Sequence, residues 1–215
     1  NSTQPRTVLA LSATMLRNDD SSAEGIHRLT NSHSVEEVRD ALRFFDGPQQ
    51  NFVYADTAGS IAYTAAAKVP MRKKGDGTLP VPGDTGEYDW QGWVPYDELP
   101  HSLNPANGRL INANNRPADL NYPHLIAASF PEEYRAQRIQ ERLQAIARST
   151  ATLQDMVSIQ TDDYSAMAAD MLPMLLQMAS PQTTPGQEAA QMLQAWDGFM
   201  DRNRPEPLIF LAWMD

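Results

Sequence analysis

Strand-forming and helix-forming stretches are segregated along this chain, and that order constrains its fold more than any other feature. In the first half, Gln50-Asn-Phe-Val-Tyr-Ala-Asp56 is followed by Thr-Ala-Gly and then Ser60-Ile-Ala-Tyr-Thr64. Phe52, Val53 and Tyr54 suit a pleated surface. The intervening Asp-Thr-Ala-Gly carries turn chemistry, so the stretch predicts a β-hairpin. Arg109-Leu-Ile-Asn-Ala113 predicts a further strand. Helical periodicity dominates later, at Ala136, Ile139, Leu143 and Ile146, and again at Met167, Met171, Met174, Leu175 and Met178. Strands first and helices after predict an α+β fold. We divide the chain into a strand- and loop-rich part, 1–125, and a helical part, 126–215.

Local signals sharpen this outline. Ser34-Val-Glu-Glu37 reads as a capping box, with Glu37 reaching back to the cap, and opens a helix carrying Val35, Val38, Leu42 and Phe45. Asp46-Gly-Pro stops it. Residues 70–107 are rich in Pro and Gly but carry Tyr88, Trp90, Trp93 and Tyr96, which predicts ordered loop rather than disorder. Pro131 suits a first helical position. Thr152 to Asp155 caps a short helix running through Ile159, and Asp162-Asp163 sits where another cap belongs. Pro173 should kink the methionine-rich helix or move its start. Thr184-Pro185 opens a last clear helix with Met192, Leu193, Trp196, Phe199 and Met200 on one face. The methionine stripe is expected in the core, since Met fills irregular gaps.

Composition narrows the functional classes. The chain has 215 residues, 41% of them hydrophobic, enough for one sizeable core or two small ones. It contains no Cys, which excludes disulfides and thiol catalysis. A net charge of -10 argues against nucleic acid or anionic membranes as partners. No apolar run is long enough to span a bilayer, and the polar start, Asn1 to Thr7, does not read as a signal peptide. His27, His33, His101 and His124 show no metal-site spacing and read as loop or surface residues. Phosphate-binding glycine loops and the nucleophile elbow are absent. Arg72, Lys73 and Lys74 form a short basic cluster whose bland reading is a solvated loop. Taken alone, these features assemble no catalytic constellation.

Four blocks in order carry more. They are the hairpin Gln50 to Tyr63; Gly77-Thr-Leu-Pro-Val-Pro-Gly83 leading into Glu87-Tyr-Asp-Trp-Gln-Gly-Trp93 and on to Pro100; Leu103-Asn-Pro with Ile111-Asn-Ala-Asn-Asn-Arg-Pro117; and Tyr134-Arg-Ala-Gln-Arg-Ile139. Together they resemble an internal stretch of the large subunit in the penicillin acylase family of N-terminal-nucleophile hydrolases. The resemblance spans most of residues 35–212 and extends to Met156 to Asp162 and Trp196-Asp-Gly. It implies part of an αββα sheet followed by helices.

The resemblance also implies a chemistry. The intact enzyme would hydrolyse linear amides, penicillins or other N-acyl compounds including acyl-homoserine lactones, through an acyl-enzyme on an N-terminal Ser. That Ser's own α-amine would serve as base, so no His or Asp relay is required. Asn51 matches the family's side-chain oxyanion donor, a residue otherwise readable as a turn Asn. Arg72 matches an arginine that orients active-site groups, with Lys73 as the fallback in register. Asn114, Asn115 and Arg116 are expected to brace the sheet, and Trp90 and Trp93 to be structural. Ser60 and Ala62 depart from the Asn and Gly common in the family.

The nucleophile, a second backbone donor and most ligands of a structural calcium would lie outside this chain; Ser2 is not assigned as nucleophile. No cofactor or metal is expected within it. Its partners would be the small subunit and the rest of the large subunit, in the periplasm or secreted. Alone, the chain is expected to be inactive and to self-associate through its helical half. The alternatives are an excised structural domain without activity of its own, favoured for this chain taken alone, and an independent binding module, against which Asn1 as first residue counts, having no Met or signal before it.

Overall fold

The computed structural model describes residues 8–146 and 151–214. The fold is mixed α+β and divides into two compact units, 1–131 and 132–215. Ser2 lies outside the described residues.

In the first unit, helices α1 (Ser22–Thr30) and α2 (Val35–Ala41) pack closely, α2 running on into a 3-10 turn at Leu42–Phe44. Gly25 permits the approach: a Cβ there would stand 3.1 Å from the backbone of both Phe44 and Phe45. Ser34 caps α2 as expected, accepting from the Glu37 N–H at 3.2 Å. The return contact differs from a capping box: the Glu37 carboxylate accepts from the His33 N–H at 2.6 Å, one residue before the cap. Behind α2, the buried Asp46 carboxylate accepts from Lys68 Nζ at 2.8 Å and from the Ser21 N–H at 3.0 Å. Taking a carboxylate out of water demands such partners.

The hairpin forms as predicted, from β1 (Gln50–Ala55) and β2 (Ile61–Ala66). Gly59, at φ 91°, takes the left-handed position of its turn. A short strand, β5 (His101–Leu103), pairs antiparallel with the other edge of β2 and gives the order β1-β2-β5. A second sheet pairs β3 (Pro70–Arg72) with β4 (Trp90–Trp93). Residues 70–107 therefore hold three short strands, not only ordered loop. Val69, Val94 and Leu99 form a small core, which Met71, Tyr96 and Ile126 cover. Residues 109–113 form no strand; they run as irregular chain.

The second unit holds five helices among the described residues: α3 (Tyr134–Ala145), α4 (Leu153–Gln160), α5 (Ala166–Met178), α6 (Thr184–Ala195) and α7 (Glu206–Met214). Their core is Ala168, Leu172, Leu193, Trp196 and Phe210. Three expectations change here, and one alternative is decided. Helix α3 begins at Tyr134, so Pro131 precedes it rather than opening it. Asp162 does not cap α5; Ser165 does, accepting from the Ala168 N–H. Asp162 instead receives Arg138 and Arg142 of α3, at 2.9 and 3.2 Å. The core face of α5 runs through Ala168 and Leu172, and Met174 and Met178 are 53% and 74% exposed. Pro173 sits within the helix rather than moving its start.

Candidate functional site

Side chains alternate across a strand pair, and residues diagonal across a hairpin share a face. With Asn51 opposite Ala65 and Val53 opposite Tyr63, Asn51 and Tyr63 are diagonal neighbours on one face. Tyr54 and Thr64 take the other face, where their hydroxyls lie 2.9 Å apart. The small Ala65 opposite Asn51 leaves room for the tyrosine ring beside the asparagine amide.

The Tyr63 hydroxyl donates to Asn51 Oδ1 at 2.6 Å. Tyr63 is buried, and burial pushes its phenol up to about 12. The phenol therefore keeps its proton at neutral pH and acts as a donor. Gln49 Nε2 donates to the same Oδ1 at 3.1 Å. At the other end of the amide, Asn51 Nδ2 donates to Asn112 Oδ1 at 3.3 Å. Asn112 is held in turn by the Asn114 N–H, which donates to its Oδ1 at 3.2 Å within a turn where Asn114 adopts φ 63°. An amide nitrogen carries two hydrogens. One points to Asn112, and the second meets no acceptor among the described residues.

Arg72 stands elsewhere, on β3 opposite Trp90, beside an irregularity between Met71 and Arg72. Its guanidinium lies against Gly77, where an added Cβ would come within 3.0 Å of it. It makes no hydrogen bond or ion pair among the described residues. Its charge helps hold the Asp76 carboxyl below the usual range, a smaller effect than the hydrogen bond from Thr78. Asn51 and Arg72 thus lie on different sheets. Lys73 donates its backbone N–H to Asp89 at 3.2 Å and is exposed.

Asn114, Asn115 and Arg116 build their own turn: Asn115 Oδ1 accepts from the Ala113 N–H, and Arg116 covers the Phe130 ring. Asn112 of this segment reaches the sheet, through Asn51. Trp90 and Trp93 contact each other edge to face. His101 Nδ1 lies 2.7 Å from the Leu99 carbonyl, and His124 Nε2 lies 2.6 Å from a Glu98 carboxylate oxygen. Three or more His, Asp or Glu side chains suited to a metal do not come together among the described residues.

Sequence reasoning missed Tyr63, Gln49 and Asn112 as partners of Asn51. Hairpin alternation could have found Tyr63; no local signal marks Asn112.

A family model described as penicillin amidase matches residues 2–215. The penicillin acylase 2 proenzyme of Pseudomonas sp. strain SE83 is 33% identical over 193 residues, covering 90% of this chain and 25% of that protein. An acyl-homoserine lactone acylase QuiP of Pseudomonas fluorescens is 27% identical over 202 residues, covering 89% of this chain and 25% of its own length. A solved structure of thermostable penicillin G acylase from Alcaligenes faecalis matches in fold with TM-score 0.69 at 24% identity, covering 90% of this chain and 36% of that one. This chain spans about a quarter of the length of those two curated relatives.

Proposed function

The chain belongs to the penicillin amidase family, and on that premise we propose that it is an internal segment of an enzyme that hydrolyses linear amides. In this reading a Ser at the N-terminus of the large subunit, outside these residues, attacks the amide carbonyl carbon. The carbonyl π electrons move to oxygen, and the collapsing tetrahedral intermediate expels the amine with a proton carried by the Ser α-amine. Water then releases the carboxylic acid from the acyl-enzyme. Asn51 supplies one N–H to the oxyanion, and Arg72 orients groups around it.

The observation that carries this reading is the short hydrogen bond from Tyr63 to Asn51 Oδ1. It turns the amide so that its nitrogen is the end left to donate. A donor already aimed where charge develops needs no reorganisation during reaction, and each such donor typically contributes about 3–4 kcal/mol to the transition state. Penicillins and acyl-homoserine lactones are the substrate classes, as the names of the relatives suggest. The remaining partners are the other parts of the same enzyme, exported to the periplasm or beyond. Any structural calcium takes most of its ligands from those parts. Residues 1–215 by themselves bring the donor without the nucleophile and turn over nothing.

The test is Asn51→Ala in the complete enzyme, assayed by release of primary amine from penicillin G and from an N-acyl-homoserine lactone. The expected result is a fall in kcat of about 100- to 1000-fold, with KM and the unfolding temperature nearly unchanged. A variant that turns over either substrate at the parent rate would overturn the assignment.

A further inference from the structure

The two ends of an asparagine amide have nearly the same shape but opposite hydrogen-bonding character. A half-turn about its terminal torsion replaces the N–H that would meet an oxyanion with an oxygen that would repel it. Proximity of Asn51 to the reacting carbonyl is therefore insufficient; something must set the amide's polarity. Resting on the reading above, we propose that Tyr63 and Asn112 are positioning residues that form a polarity clamp on Asn51, one holding each end of its amide.

The two contacts act on opposite ends and in opposite senses. The Tyr63 hydroxyl donates to Oδ1 at 2.6 Å, the shorter of the two bonds that oxygen accepts. The other comes from Gln49, an exposed side chain that can turn its own amide over. Tyr63 is fixed in place: the residue is only 8% exposed, and its strand position pairs it with Val53 on one side and Ser102 on the other. Its phenol, protonated through burial, is a donor throughout the working range. At the far end, Asn112 presents an acceptor to Nδ2. That acceptor is itself oriented, because the Asn114 N–H donates to the same Oδ1. A flipped Asn51 would set its own carbonyl oxygen against Asn112 Oδ1, two acceptors facing each other with no hydrogen between them. Two acceptors held face to face in a part-buried contact are unfavourable.

The clamp leaves both residues away from the substrate, so their effect must travel through Asn51. Tyr63→Phe keeps the buried ring and removes only the donor. Asn112→Ala removes the acceptor from a partly exposed loop. In the complete enzyme with penicillin G, each is expected to lower kcat by roughly threefold to tenfold, the scale of one neutral hydrogen bond, with KM unchanged and the unfolding temperature lowered by at most a few degrees. Neither is expected to lower kcat further when added to Asn51→Ala, because the group they orient is then gone.

Losses that multiply with that of Asn51→Ala would show a separate structural role and overturn the clamp. Parent-like kcat in both single variants, beside a slow Asn51→Ala, would overturn the clamp and leave the oxyanion reading standing. Parent-like kcat in Asn51→Ala would remove the reading itself. Should Tyr63→Phe fail to fold, Asn112→Ala and its double variant with Asn51→Ala decide by the same comparison.

Discussion

The carboxylate of Asp56 accepts three backbone N–H groups: Ala58 and Ser60 through Oδ1 at 3.0 Å each, and Val35 through Oδ2 at 3.4 Å. One side chain thus closes the hairpin turn and meets the first residue of α2. These bonds, the one from Ser60 foremost, hold its carboxyl below the ordinary 3.8. A folded-state value below the unfolded one means stability that is present above the unfolded value and lost as pH falls through the folded one. We expect urea unfolding of the parent chain to show a decline in stability as pH drops below about 4, and Asp56→Asn to flatten that decline. An equal slope in both proteins would refute it. Asp56 was legible as turn chemistry because its partners at Ala58 and Ser60 lie within four residues. The Asn51–Asn112 contact was not, since 61 positions separate the pair and nothing local at Asn112 distinguishes it from its neighbours.

Helix α4 is opened by a reciprocal cap. Thr152 Oγ1 accepts from the Asp155 N–H at 3.2 Å, and Asp155 Oδ2 accepts from the Thr152 N–H at 2.8 Å. Replacing such a cap by Ala typically costs about 1 kcal/mol. Thr152→Ala should lower the chain's urea midpoint by that amount of stability with the slope unchanged, and an unshifted midpoint would count against it. Caps are readable because both partners sit within one turn. Helix faces are less so. Two apolar stripes overlap on α5, and spacing alone does not say whether Met174 and Met178 or Ala168 and Leu172 meet the neighbouring helices. Packing chose the second stripe, whose small Ala168 lets α6 and α7 bring Leu193, Trp196 and Phe210 close. Helix α7 was not foreseen. Its sequence Glu-Pro-Leu-Ile-Phe-Leu-Ala-Trp-Met is apolar all round, so no period marks a face, although Phe210 is fully buried while Leu208 is 73% exposed.

Large apolar side chains lie exposed in both units: Leu120 and Leu79 at 86% and 75% in the first, Leu153 and Met178 at 86% and 74% in the second. Surface of this kind marks interaction sites. In the proposed reading the other parts of the enzyme cover it. Residues 1–215 produced alone should accordingly self-associate through the helical unit at micromolar concentration; a monodisperse monomer in light scattering would contradict this.

What the sequence by itself determined was local. It specified the hairpin and its turn, the caps of α2 and α4, and the start of α6, because each needs partners only a few residues apart. The family resemblance pointed to Asn51, and strand alternation held the clue to Tyr63. The tertiary structure alone decided that β5 would extend the sheet, that Asp162 would receive Arg138 and Arg142 instead of capping a helix, and that Asn112 would meet Asn51. Each joins groups far apart in the chain, where the contact exists only after other elements have packed, so no short stretch of residues records it.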